Sequence, residues 1–248
     1  MPDPLIPSGA PAFDPRTPYD DLPPIPPADV LETKAVLKQC LAATRALAEL
    51  KGAGGLIPDQ AILINAIPLQ EAKLSSEIEN IVTTQDELLQ AAGSIGDGGE
   101  GGGKGEKKHS GGTGVSAQTK EVLRYRTALR IGSEQLAIRP VSMELVRQVC
   151  ETLRGQSVTF RTFAQQVHIG NASTGNVIYT PPRGGPGLME KLYTLESFLL
   201  DHDGPDPLIR MAAAHYQFEA IHPFIDGNGR AGRILNILYL QHAKLLSI

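Results

Sequence analysis

The chain has 248 residues, 41% hydrophobic and 20% charged, enough to bury one sizeable core or a catalytic domain with a helical extension. A formal net charge of -4 gives no basic footprint, so neither nucleic acid nor an anionic membrane is an expected partner, and any phosphate chemistry must be local. Cys40 and Cys150 lack metal-type spacing and read as reduced thiols. Met1-Pro2-Asp3-Pro4 is neither basic nor apolar, and no run approaches the roughly 18 apolar residues of a membrane span, so the expectation is a soluble cytoplasmic protein.

Residues 1–27 are crowded with proline and end in Pro23-Pro24-Ile25-Pro26-Pro27, which favours an extended tail or strap. Over Ala28 to Leu50, the residues Leu31, Leu37, Leu41, Leu47 and Leu50 recur near helical spacing, and Lys51-Gly52-Ala53-Gly54-Gly55 supplies a stop. Asp59 to Asn65 reads as a short second helix, and Pro68 starts or kinks a third that carries Glu71 to Asn80. Residues 28–92 form an N-terminal helical region, followed by a glycine-rich flexible insert over 93–119 that cannot bury a core.

Residues 120–248 read as the catalytic domain. Ala117 to Leu129 and Ser142 to Arg154 have helical patterns, the second capped by Ser142. Between 160 and 182, Val167, Ile169, Val177, Ile178 and Tyr179 surround the turn formers Gly170-Asn171 and Thr174-Gly175-Asn176, a hairpin signal closed by Pro181-Pro182. Three helices follow: Leu188 to Leu200; Pro207 to Ile221, with a face of Leu208, Met211, Ala212, His215 and Phe218; and Asn228 to Leu246, with Ile234, Leu235, Leu238 and Leu245 inward. The fold class is mainly α, a helical domain with one hairpin and an N-terminal helical extension.

The chemistry concentrates between Ile221 and Arg233, where one helix ends and another begins near Asn228. A helix N-terminus presents unpaired amides and a positive dipole end. Gly227 and Gly229 lack side chains, so a phosphate can approach those amides closely. Asn228 adds a side-chain donor, and Arg230 and Arg233, one turn apart, can reach one polyphosphate. Asp226 offers a hard carboxylate for Mg²⁺ shared with phosphate oxygens, and His222 can accept a proton near neutral pH. Pro223 and Phe224 anchor the loop. A bare helix-loop-helix corner, with Asp226 as a cap and the arginines on surface acids, would explain each residue alone but not the set.

From His222 to Arg233 the sequence resembles, at every defined position, the signature of the Fic family, His-Pro-Phe-x-Asp/Glu-Gly-Asn-Gly-Arg-x-x-Arg. The resemblance implies a Fic-type helical bundle in which the hairpin, with Val177, Ile178 and Tyr179 leading into Thr180-Pro181-Pro182, is the flap that binds an extended segment of a target protein. It implies transfer of AMP from ATP, with Mg²⁺ or Mn²⁺, to a Ser, Thr or Tyr hydroxyl of a target or of the protein itself. His222 would take the hydroxyl proton, Asp226 would hold the metal, and Gly227, Asn228 and Gly229 would cup the developing charge. Arg230 and Arg233 would bind the outer phosphates, with Ala231, Gly232 and Glu79 completing the ATP site.

Ser75-Ser76-Glu77-Ile78-Glu79-Asn80, followed by Ile81-Val82-Thr83-Thr84, is similar to the family's inhibitory motif, Ser/Thr-x-x-x-Glu-Gly/Asn. Glu79 set against Arg233 would occupy the guanidinium that the γ-phosphate needs. The same letters also fit a helix-start capping box of Ser76 and Glu79. Two other enzyme readings use this loop. Removal of AMP, with Glu79 positioning water, stays open; phosphate transfer as in Doc relatives is disfavoured, because those usually carry Lys at the position of Gly229. The non-enzyme reading is a nucleotide-sensing interaction module recruited through the proline-rich tail. A homo-oligomer is left open, as is whether the sequence, which ends at Ile248, is a fragment.

Overall fold

Apolar side chains three and four positions apart line the inner faces of the carboxy-terminal helices. Met143, Leu145, Val146, Val149, Cys150 and Leu153 are buried, while Arg147 on the other face bonds Glu144 at 2.8 Å and Glu151 at 3.2 Å. This helix is capped by Ser142, whose hydroxyl accepts from the Leu145 amide, and it ends on Gly155 at φ 63°.

The structure, a computed structural model, describes residues 13–54, 56, 60–96, 115–171 and 173–246. In chain order these hold α1 (Ala28–Leu31), α2 (Lys34–Gly54), α3 (Gln60–Ile78), α4 (Gln85–Gly96), α5 (Ala117–Leu136), α6 (Met143–Arg154), β1 (Ile169–Gly170), β2 (Val177–Tyr179), α7 (Pro186–Leu200), α8 (Pro207–Ile221) and α9 (Asn228–His242). The core lies where α5 packs on α6 and α9, α8 packs on α7 and α9, and α3 and α4 lean on α5. No helix among the described residues is long and apolar enough to cross a membrane.

Several boundaries differ from the sequence reading. The two helices expected on either side of Pro68 are one, α3, which runs through the proline. Its end is a Schellman turn: Asn80 sits at φ 61°, its amide donates to Glu77 O at 3.0 Å, and the Ile81 amide donates to Ser76 O at 3.0 Å. Residues 76–79 therefore close a helix, so the capping-box alternative is wrong. The box lies further on, where Thr84 and Glu87 bond reciprocally at the start of α4, an element absent from the expectation.

The expected insert over 93–119 is narrower, since 93–96 belong to α4 and 117–119 to α5; 97–114 lie outside the described residues. Along α2 only Cys40 is buried, and Leu37, Leu41 and Leu50 face outward. On α8 the buried set includes Ile209, Ala214, Gln217, Phe218 and Ile221, whereas Ala212 of the expected stripe is exposed, because α8 is covered from more than one side. The hairpin is short and antiparallel, pairing Ile169 with Tyr179 and Gly170 with Val177.

Residues 13–27 form a strap. The Tyr19 amide donates to Thr180 O at 3.0 Å, the Thr180 hydroxyl donates to Pro15 O at 2.7 Å, and Arg183 clasps Asp20 through its amide and guanidinium, both at 2.8 Å. Leu22 then enters the core at 7% exposure, while Lys191 and Gln217 hold the carbonyls of Leu22 and Pro23. We predict that Leu22→Ala lowers unfolding free energy by about 2 kcal/mol or more, as for a core leucine. Urea titration should show this, and an unchanged midpoint would mean that the strap is only draped over the surface.

Candidate active site

The last turn of α8 delivers His222 in the left-handed region, at φ 50°, with its amide on Phe218 O at 2.9 Å. A residue with a Cβ pays roughly 1–2 kcal/mol to sit there, and such strain clusters at functional positions. The loop is then pinned from inside. Phe224 is fully buried, stacks on Phe160 with centroids 5.5 Å apart, and meets Phe218 edge-on.

The side chain of Asn228 closes the loop from within. It is buried; Oδ1 accepts from the Phe224 amide and one Nδ2 N–H donates to the Phe224 carbonyl, both at 2.9 Å. Gly227 precedes α9 at φ 89°, a conformation that favours glycine, and no side chain caps the helix. Among the described residues no acceptor meets the amides of Asn228, Gly229 and Arg230. These open amides lie where the glycine spacing led an anion seat to be expected.

That seat faces Glu79. A Cβ built on Gly229 would overlap the Glu79 carboxylate, and the same oxygen accepts from Arg233 Nη2 at 2.8 Å. Arg233 also donates to the Ser75 hydroxyl at 2.6 Å and to the Ser75 carbonyl at 3.0 Å. Glu79 and Arg233, 154 positions apart in the chain, are thus bridged directly.

Arg230, expected beside Arg233, is turned into the protein. It is 3% exposed, paired with Glu121 of α5 and 3.8 Å from Asp226, with Nε left without a protein partner. The physical reason is that α9 packs on α5 and α6, so position 230 faces inward while 233 lies at the edge. Ala231 and Gly232 also differ from expectation. Ala231 is fully buried with its amide on Gly227 O at 3.0 Å, and Gly232 lies buried against Glu219 and Phe218; neither presents a free group.

Asp226 is half exposed at the loop apex and forms an ion pair with Arg154. Among the described residues no cluster of three metal-ligating side chains exists. Released from Arg154, this accessible carboxylate beside the open amides would suit Mg²⁺, which keeps waters and takes other oxygens from phosphates. On the flap, Ile178 is exposed, Val177 is half-buried, and Tyr179 donates its phenol to Ala220 O at 2.9 Å, tying the hairpin to the turn before His222.

Two titratable groups here are strongly shifted. Burial, reinforced by the Arg161 charge, brings the His222 imidazole down to about 4. The Glu219 carbonyl lies close enough to favour its proton, but no well-formed hydrogen bond results and Nδ1 is unpaired. Glu219 itself is raised to about 7, by burial first and by Glu79 as well, against the pull of Arg233. Sequence reasoning missed Glu219; its placement one turn before His222 was the available signal. It also missed Glu121, which carries none.

The chain belongs to the Fic/DOC family: the family's N-terminal region matches residues 37–134 and the Fic/DOC region matches 140–240. A stretch of 57 residues is 44% identical to "Protein adenylyltransferase fic-1" of Caenorhabditis elegans, covering 22% of this chain and 11% of that protein. Over 151 residues it is 30% identical to "Protein adenylyltransferase Fic" of Drosophila mojavensis, covering 54% of this chain and 30% of that protein. The chain thus spans under a third of the length of these relatives. In structure it matches a Fic domain containing signaling protein from Bacteroides thetaiotaomicron with TM-score 0.60 at 18% identity, over 81% of this chain and 72% of the other, a likeness of fold.

The two shifts have opposite consequences for stability. His222, lowered from 6.5 to about 4, binds its proton more readily unfolded, so it stabilises the fold above 6.5 and loses that contribution as pH falls toward 4. Glu219, raised from 4.5 to about 7, contributes stability below 4.5 that is lost as pH rises through 7. Between pH 5 and 6.5 the two oppose each other. Glu219→Gln should therefore make the melting temperature climb more steeply over that window than in the parent; identical slopes would show that Glu219 titrates normally.

Proposed function

We propose that this chain transfers AMP from ATP to a side-chain hydroxyl of a protein, and that Glu79 holds the activity down. The observation that carries the reading is that one carboxylate covers both anion seats, the open amides at Gly229 and the guanidinium of Arg233. A built-in anion held by those donors supports a polyphosphate site at the same place.

In the proposed reaction the hydroxyl proton passes to the neutral His222 ring as the oxygen attacks the α-phosphorus. The bond to the bridging oxygen breaks, and pyrophosphate leaves with that electron pair. Charge developing on the α-phosphoryl oxygens meets the first amides of α9, where preorganised donors stabilise a transition state more than the ground state. The β- and γ-phosphates face Arg233 once Glu79 withdraws. Asp226 would hold Mg²⁺, which when bound neutralises phosphate charge. The flap edge would take the target as an extended segment through main-chain bonds, a mode that reads backbone more than side chains.

Glu79→Gly should raise AMP transfer by about 5- to 150-fold, the range of a coupling of 1–3 kcal/mol. In that background His222→Ala should lose about 10² to 10⁴ in rate, as for a general base, while the chain still folds cooperatively. The assay uses α-labelled and γ-labelled ATP separately. Protein labelling from the α-phosphate alone supports the proposal; labelling from the γ-phosphate would indicate a kinase, and none from either would indicate a nucleotide sensor.

A further inference from the structure

Arg161 is 1% exposed and has no ion-pair partner among the described residues. Burying a guanidinium without an anion is costly, and burial here lowers its own affinity for the proton. Main-chain carbonyls alone compensate it. Nε donates to His222 O at 2.8 Å, Nη2 to Ile221 O at 3.1 Å and Pro182 O at 2.8 Å, and Nη1 to Gln165 O at 3.3 Å. Two of these carbonyls belong to the C-terminal end of α8, the negative end of a helix dipole, where a cation is favoured.

The contacts form a sequence. Four consecutive carbonyls are taken from the flap side: Ala220 by the Tyr179 phenol, Ile221 and His222 by the Arg161 side chain, and Pro223 by the Arg161 amide at 2.9 Å. On the other side, the Gly185 amide donates to Arg161 O at 2.9 Å, and a Cβ on Gly184 would overlap the carbonyls of Arg161 and Thr162. The segment leaving the flap is therefore pressed on the same residue that holds the backbone of His222.

We infer that Arg161 is a positioning residue for the transfer reaction, fixing the strained backbone of His222 in register with the flap exit at Pro182, so that the base and the seat of the target segment move as one body. This rests on the proposed function for its catalytic consequence, though the mechanical link stands apart from it. Lysine cannot replace the fork, because one ammonium on a flexible stem cannot serve carbonyls of α8 and of the flap exit in fixed directions.

The test uses Arg161→Lys and Arg161→Met in the Glu79→Gly chain, with self-labelling from α-labelled ATP and amide hydrogen exchange as separate readouts. The expected result is a fall of about 10² in the maximal rate, the scale of a misplaced catalytic group, with KM for ATP within about twofold. Exchange should quicken together at 180–185 and 221–224 while α5 and α6 stay protected. If Arg161→Met fails to fold, Arg161→Lys decides. An unchanged rate, or exchange that quickens uniformly across the chain or at one of the two segments only, would overturn the inference. If the Glu79→Gly parent itself does not label, the proposed function fails, and the exchange pattern still decides the clamp.

Discussion

The guanidinium of Arg233 joins the two regions of the chain at the site where nucleotide chemistry would occur. Three bonds converge on it, two from Ser75 and one from Glu79, so the end of α3 is fastened to the first turns of α9. The fastening depends on backbone conformation as much as on charge. Asn80 takes the left-handed turn, one of the few residue types besides glycine that does so readily, and this Schellman closure points Glu79 at the anion seat rather than continuing the helix. Because both partners keep some exposure, 22% and 39%, the ion pair contributes modestly to net stability. A contact of that strength can hold a site closed and still yield.

Much of the site's interior is arranged around burial. Arg230 relies on Glu121, and His222 stays neutral because charging it beside Arg161 in a poorly hydrated turn is unfavourable. Glu219 is raised by burial and by Glu79 against the pull of Arg233, so this carboxyl senses the Glu79–Arg233 pair. The loop that carries these groups is kept in shape by uncharged contacts, the Asn228 clasp on Phe224 and the Phe160 stack behind it.

What could be read from the sequence followed from how local each feature is. The loop from His222 to Arg233 is a dozen residues whose glycines, base and carboxylate have meaning at fixed short spacing, and the helices before and after it show their period. The spacing could not say that Asn228 spends its side chain on Phe224, nor that α5 would draw Arg230 inward, because both depend on packing between elements distant in sequence. At the end of α3, Ser76 and Glu79 have the letters of a helix start, while the left-handed Asn80 makes them a helix end. Pro68 has the pattern of a residue that starts or kinks a helix, and α3 runs through it. Arg161 has no sequence signal at all; a lone arginine before a hairpin becomes informative only when four carbonyls are seen around it.

The central claim is that Glu79 and the outer phosphates of ATP compete for Arg233. The most direct measurement is calorimetric binding of ATP and of AMP to the parent chain and to Glu79→Gly. Competition predicts that removing the carboxylate tightens ATP binding by about 5- to 150-fold while leaving AMP, which has no β- or γ-phosphate, little changed. Equal tightening of both nucleotides, or of neither, would contradict it.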